Sequence, residues 1–265
     1  MQTSGGNRDQ VVSSLKASRS SRGTDFLLVL PTYNEAENIA SLIRRIVKAV
    51  RTPLEIVVVD DGSPDGTAGI VEGLKGEVPG LYILRRSGKM GLGSAYLAGF
   101  SLAEEAGFPY VITMDCDHSH DPAVINDMVA RIPGNDLVIG SRYCPGGDIP
   151  NFELWRRVIS KGGNLLAKTL LGIRAMDCTS GFRCYRTKAL QEVRVHEQVR
   201  SRRYIFLVEL LSLMTLYHCR IAETPIIFNQ RTLGKTKVTF KEMFHALEMM
   251  FALAIRQRIS GRRIP

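Results

Sequence analysis

Two aspartates spaced by one residue, Asp115-Cys-Asp117, close the apolar run Tyr110-Val-Ile-Thr-Met114. Successive strand residues face opposite ways, but where a strand ends the backbone turns and aims both carboxylates at one point. Two hard oxygen ligands there suit Mg2+ or Mn2+, ions that keep further positions for water and substrate phosphates. Taken alone, the spacing is more often a solvated acidic turn. Three other polar clusters shift that balance: Tyr33-Asn-Glu35, Asp60-Asp61 and Arg142, each just past a short apolar run. One ligand at a shared edge would touch all of them.

The elements that position these residues follow from hydrophobic period. Apolar runs at 26–30, 55–59, 81–84 and 136–140, with the run into Asp115, read as buried strands. Between them Ile39, Leu42, Ile43, Ile46, Val47 and Val50 recur at helical spacing, capped near Asn34. Further helices are expected over 64–74, 94–106 and 123–131. Strands alternating with helices predict an α/β fold, a Rossmann-like, mostly parallel sheet flanked by helices with ligands at the strands' carboxyl ends. Beyond residue 143 the pattern is less regular. A helix is expected from Arg156 to about 171, a turn from Asp177 into a short strand, a helix over about 204–217 and a strand over 221–228. The basic loop Gln230-Arg-Thr-Leu-Gly-Lys-Thr-Lys237 is fit to close over phosphates.

Composition bounds the class. The chain has 265 residues, 45% of them hydrophobic, and a formal net charge of +9. That is a globular chain with a preference for acidic partners. Five cysteines are scattered without a Cys-x-x-Cys pair, which argues for a reducing compartment and against structural zinc. No signal-peptide core and no membrane-spanning run is read. Residues 1–24, rich in Ser, Gly and Arg, read as a disordered leader, 25–238 as one α/β domain, and 239–265 as an amphipathic basic helix and tail. From Arg231 onward eight Lys/Arg stand against two Glu. The last helix therefore fits either a membrane interface beside anionic lipid or ordinary packing on the domain. His118 and His120 read as solvated turn histidines, because a phosphate-bridging hard cation prefers oxygen.

In combination the motifs carry a resemblance. Pro31-Thr-Tyr-Asn-Glu35, Val59-Asp-Asp-Gly-Ser-Pro-Asp-Gly66, Gly91-Leu-Gly93, Met114-Asp-Cys-Asp117, Gly140-Ser-Arg-Tyr143 and Thr179-Ser-Gly-Phe-Arg183 occur in the order seen in family-2 glycosyltransferases. Within these the chain resembles the dolichol-phosphate (polyprenol-phosphate) mannose synthases, over about residues 26–237. The resemblance implies a GT-A fold and inverting, metal-dependent transfer of mannose from GDP-mannose to a polyprenol monophosphate, with a glucose synthase using UDP-glucose as the alternative. It implies guanine and ribose contacts from Pro31, Tyr33, Glu35, Val59 and Asp61. Asp115, Cys116 and Asp117 match the motif whose carboxylates hold the metal at the diphosphate. A third metal contact in some relatives is a Gln whose place here is Ser119. Arg142 and Arg156 resemble arginines around the lipid phosphate, and Arg231 and Lys237 a closing loop on the donor. Ser180 to Arg183 and Glu209 resemble acceptor-side lining. Relatives without membrane spans imply a peripheral enzyme on the cytoplasmic face of a membrane, held by a separate integral-membrane subunit or by direct interfacial binding.

That chemistry needs no general base. A phosphate monoester has a second pKa of about 6 and is mostly dianionic at neutral pH. This agrees with the lack of a Ser/His/Asp or Cys/His arrangement in the sequence. A nucleic-acid-binding module would account for the basic charge but not for carboxylates at two strand ends, which repel phosphate unless a metal intervenes.

Overall fold

A computed structural model of the chain describes residues 4–150, 154–201, 205–229 and 248–255. Helix α1 (Ser4–Arg22) is followed by β1 (Phe26–Thr32), α2 (Ile39–Ala49), β2 (Leu54–Asp60), α3 (Thr67–Leu74), β3 (Leu81–Arg85) and α4 (Leu92–Ala106). Then come β4 (Tyr110–Thr113), α5 (Val124–Arg131), β5 (Leu137–Ser141) and α6 (Leu154–Leu171). The chain continues through β6 (Arg183–Arg186), α7 (Thr187–Glu192), α8 (Val195–Gln198), α9 (Phe206–Leu216) and β7 (Ile221–Pro225). The strands form one seven-stranded sheet in the order β3-β2-β1-β4-β6-β5-β7. All neighbours are parallel except β6, which runs against both β4 and β5.

The sheet separates two apolar layers, as strand alternation requires. Leu27 and Val29 of β1 face a cluster with Tyr96, Phe100 and Phe206, while Phe26, Leu28 and Leu30 face Ile39, Leu42 and Ile43 of α2. With both faces covered, β2 is buried along its whole length, which is why its centre, residues 56–59, reads as an unbroken apolar run.

The expected disordered leader is corrected: residues 4–22 form α1. Val11, Val12 and Leu15, spaced to share one helix face, are buried in the core. Ion pairs from Arg8 to Glu105 and from Arg22 to the buried Glu55 tie the helix down, the second at 3.6 Å. Packing of this short stripe, not intrinsic propensity, makes the helix. The cap of α2 is at Asn38 rather than Asn34, whose φ of 57° places it in a left-handed turn. The expected final helix is described over 248–255. There Met250, Leu253 and Ala254 pack into the core while Phe251 and Ile255 are exposed, so this stretch takes the packed arrangement.

Candidate active site

Strands β1, β2 and β4 are adjacent in the sheet, so their carboxyl ends deliver three of the polar clusters side by side. β5 lies beyond β6, and β6 is antiparallel, so its beginning rather than its end reaches this edge. The loop 177–182 that feeds β6 therefore lies between the Asp115/Asp117 turn and Arg142. Thr113 Oγ1 donates to the carbonyl of Gly181 at 2.7 Å and pins this loop to β4. A Cβ on Gly181 would stand 3.0 Å from the Tyr96 hydroxyl and 3.4 Å from Asp115 Oδ1.

At the β1 and β2 ends the two loops clasp each other. The amide of Asn34 donates to Ser63 Oγ and that of Glu35 to Thr67 Oγ1, both at 3.0 Å. Glu35 accepts from Asn38 Nδ2 at 2.9 Å, and the Tyr33 ring lies 4.7 Å from the Lys89 ammonium. Asp60 receives hydroxyl hydrogens from Thr32 at 2.9 Å and Ser63 at 2.6 Å. Asp61 is buried and accepts from Arg86 Nε at 2.6 Å and from the amides of Met90 and Gly91 at 2.9 and 3.2 Å. Its carboxylate thus holds the 86–91 loop as well as facing the edge. Arg86, absent from the sequence reading, also donates to Ser94 Oγ at 2.7 Å. Val59 and Cys116 are buried, and Pro31 is half-buried at the end of β1.

Asp115 and Asp117 lie just past β4, whose last residue is Thr113. Asp115 is 30% exposed and accepts from the Tyr96 hydroxyl at 3.0 Å. Burial, and then the Asp115 charge, hold the Tyr96 phenol well above its usual pKa, so it stays a proton donor to that carboxylate. Asp117 is buried and accepts from the amide of Ser119 at 3.1 Å.

The two histidines differ from expectation. His118 shares its ring nitrogens with Ser41 Oγ at 2.8 Å and Arg45 Nη1 at 2.9 Å. Burial, and then Arg45, lower its pKa. It fastens this turn to α2 rather than sitting in solvent. His120 is 2% exposed, with its ring 4.9 Å from Phe182 and 5.2 Å from Phe228. Its Nε2 lies 3.8 Å from Asp115 Oδ2, and both ring nitrogens and the neighbouring Ser119 Oγ are buried without a hydrogen-bond partner among the described residues. Two apolar rings exclude water from it, which local polarity in the sequence did not reveal.

Among the described residues no three His, Cys, Asp or Glu side chains are grouped to hold a metal. Two carboxylates on one turn, one of them partly exposed, nevertheless fit a hard divalent cation that takes its remaining ligands from water and a diphosphate. Asp115 and Asp117 are the residues that would hold it.

Across the loop, Arg142 is 7% exposed and its fork is engaged by Asp177, with Nε to Oδ2 at 2.6 Å and Nη2 to Oδ1 at 2.7 Å. Asp177 is fully buried and also accepts from the amides of Arg142, Thr179 and Ser180 at 3.0–3.1 Å. Burial would raise the Asp177 pKa, but Arg142 and these donors hold it below the usual carboxylate range. Ser180 is buried, and its Oγ accepts from the amide of Phe182 at 3.3 Å.

Two residues expected on the acceptor side are engaged by backbone. The Arg183 guanidinium is fully buried and donates to the carbonyls of Ser180, Cys178 and Leu207 at 2.7–2.9 Å, so it holds backbone. Glu209 is buried and accepts from the amides of Arg200 and Ser201. The turn motif alone did not distinguish an arginine that caps carbonyls from one that meets substrate.

Beside Arg142 opens a cleft of about 470 Å³ lined by Arg142, Tyr143, Arg157, Lys161, Leu165 and Lys168 among others, with Asp148 its acidic residue. Arg156 lies on the same helix α6, with its side chain outside the described residues. Arg231 and Lys237 also lie outside the described residues.

The chain is similar to known proteins over most of its length. The Glycosyl transferase family 2 profile matches residues 27–194. The chain is 36% identical over 239 residues to a polyprenol monophosphomannose synthase of Mycolicibacterium smegmatis, covering 89% of each chain. It is 37% identical over 213 residues to an undecaprenyl-phosphate mannosyltransferase of Micrococcus luteus, covering 80% of this chain and 87% of that one. Among solved structures it resembles glucosyl-3-phosphoglycerate synthase from Mycobacterium tuberculosis in complex with Mn2+, UDP and glucosyl-3-phosphoglycerate. The TM-score is 0.62 at 19% identity, over 92% of this chain and 83% of that one.

Proposed function

Because the chain belongs to glycosyl transferase family 2, we propose that it transfers mannose from GDP-mannose to a polyprenol monophosphate and inverts the anomeric centre. The observation that carries this reading is the loop 177–182, which joins the Asp115/Asp117 turn on one side to Arg142 and the basic cleft on the other. A donor diphosphate and an acceptor phosphate have complementary surroundings within one sheet edge.

On the donor side, Pro31, Tyr33, Glu35, Val59 and Asp61 receive the nucleoside, with Cys116 contributing backbone between the two carboxylates. Mg2+ or Mn2+, held by Asp115 and Asp117, would supply Lewis-acid neutralisation of the departing diphosphate. Tyr96 keeps its proton and fixes the orientation of Asp115. Arg231 and Lys237 add positive charge to the same group. On the acceptor side, Arg142, Arg156 and Ser180 orient the lipid phosphate, with Asp177 holding Arg142 in place.

In the step itself, a phosphate oxygen donates a lone pair to the anomeric carbon opposite the leaving group. The bond from that carbon to the diphosphate oxygen breaks with its electrons, releasing GDP and polyprenyl-phosphate mannose. No proton needs to move, because the acceptor is already dianionic at neutral pH with a second pKa of about 6. The lipid acceptor supports a peripheral enzyme on the cytoplasmic face of a membrane. Among the described residues no helix is long and apolar enough to cross one.

The test is radiolabelled sugar transfer to a short polyprenol phosphate from GDP-mannose and, in parallel, UDP-glucose, with Mg2+, Mn2+ or EDTA. Lipid-bound label from GDP-mannose that EDTA abolishes is the expected result, and Asp117→Asn should remove it. Label from UDP-glucose alone would replace the donor. Full turnover in the Asp117→Asn variant would sink the assignment of the metal ligands.

A further inference from the structure

His120 occupies a place that an apolar side chain would fill at lower cost. It is 2% exposed, and the rings of Phe182 and Phe228 close on it at 4.9 and 5.2 Å. The backbone around it is held as well: the amide of Asn229 donates to the carbonyl of Ser119 at 3.1 Å, and that of Phe228 to the carbonyl of Asp148 at 2.9 Å. Both ring nitrogens are nevertheless without a hydrogen-bond partner among the described residues. A buried polar group left so costs about 1–3 kcal/mol, which packing alone does not explain. Nε2 looks onto Asp115 Oδ2 at 3.8 Å. N–H to O hydrogen bonds are about 2.7–3.2 Å long, so a shift of about 0.6–1 Å would make this contact one. Such contacts in a ligand-free site are commonly long and tighten on binding.

We infer that His120 is a positioning residue for Asp115: in the donor-bound protein its Nε2–H donates to Asp115 Oδ2. Tyr96 already donates to Oδ1 of the same carboxylate at 3.0 Å. The χ2 torsion of an aspartate has broad minima and does not by itself fix the carboxylate plane. One hydrogen bond to each oxygen, from α4 on one side and from the turn after β4 on the other, fixes it. Either charge state of the imidazole can carry that hydrogen, so no titration is required. A ligating carboxylate held in this way binds its metal more tightly, and losing such a partner typically costs about 10–100-fold in affinity or activity. This rests on the reading of Asp115 and Asp117 as the metal ligands, and the experiment separates the two.

The full chain is titrated with Mn2+ in the presence of GDP and, in parallel, of UDP, with free Mn2+ read by electron paramagnetic resonance and no acceptor present. His120→Phe and His120→Leu keep an apolar filling and remove the donor. His120→Gln carries an N–H near the place of Nε2 and gives up the ring packing. Mn2+ affinity should fall by about 10–100-fold in the first two and stay within about threefold of wild type in the third. The melting midpoint should follow the opposite order. It holds in His120→Phe, where no polar atom is left buried, and drops in His120→Gln, which leaves a gap between Phe182 and Phe228. A residue that only packs would move affinity and midpoint together. Affinity within about twofold of wild type in both apolar variants, or His120→Gln as weak as His120→Phe, overturns this role. Asp117→Asn is the control on the metal reading. If it abolishes Mn2+ binding while His120→Phe does not, the role of His120 falls alone; if it leaves Mn2+ binding intact, the assignment of the metal ligands falls with it.

Discussion

Replacing Asp177 by asparagine leaves the Arg142 guanidinium without its counter-charge in a site where neither side chain reaches water appreciably. The carboxylate takes two N–H groups from the Arg142 fork and three from backbone amides, and the side-chain amide introduced by Asp177→Asn would turn an N–H donor toward some of them. Breaking a buried pair by removing one partner costs about 3–5 kcal/mol, against at most about 1 kcal/mol for an exposed pair. At ~2–4 °C per kcal/mol for a chain of this size, the midpoint should fall by roughly 6–20 °C. The assay is thermal melting followed by circular dichroism for wild type, Asp177→Asn, Arg142→Met and the double variant. The double variant should recover most of the loss, because asparagine still accepts from Thr179 and Ser180 while no buried charge remains unpaired. The pH dependence adds a second readout. The Asp177 pKa in the native protein lies below its unfolded value, so its contribution is complete above about pH 4 and is lost as pH falls through the native pKa. The gap between wild type and Asp177→Asn should therefore be flat near neutrality and close only in acid. A midpoint shift of about 2 °C or less, the size expected of a solvent-screened pair, would refute the reasoning.

Two further outcomes are expected. Leu15→Ala should cost about 2–5 kcal/mol, seen as a lowered midpoint in thermal or urea denaturation, because Leu15 is fully buried on α1. No loss would mean the helix does not pack on the domain in solution. Gly181→Ala adds a Cβ at 3.0 Å from the Tyr96 hydroxyl, which must shift by a few tenths of an ångström and so disturbs the hydrogen bond it donates to Asp115. Transfer should fall on the order of tenfold while the melting midpoint barely moves, a split read by steady-state kinetics beside calorimetry; unchanged turnover would show that Asp115 has room to relax.

Much of the fold was legible in the sequence because buried parallel strands leave long apolar runs and amphipathic helices leave a 3.6-residue period. The strand ends carrying Glu35, Asp61, Asp115 and Arg142 were readable for that reason: where an apolar run stops, the next polar residues lie at the sheet's edge. Helix α1 was not readable, since three apolar residues among Ser, Gly and Arg are too few to signal a helix without the sheet they cover. The sequence by itself determined which residue types reach the carboxyl edge and the acid–base chemistry open to them. Only the tertiary structure decided how those residues are used. The antiparallel insertion of β6 brings Asp177 against Arg142 and Gly181 against Asp115. The rings of Phe182 and Phe228 enclose His120. Backbone carbonyls take up Arg183, and α6 turns Val158 and Leu165 outward. The contacts of Asp177 with Arg142, Gly181 with Asp115 and His120 with Phe182 and Phe228 join residues far apart in the chain, and such contacts are set by strand order and packing, which no local period records.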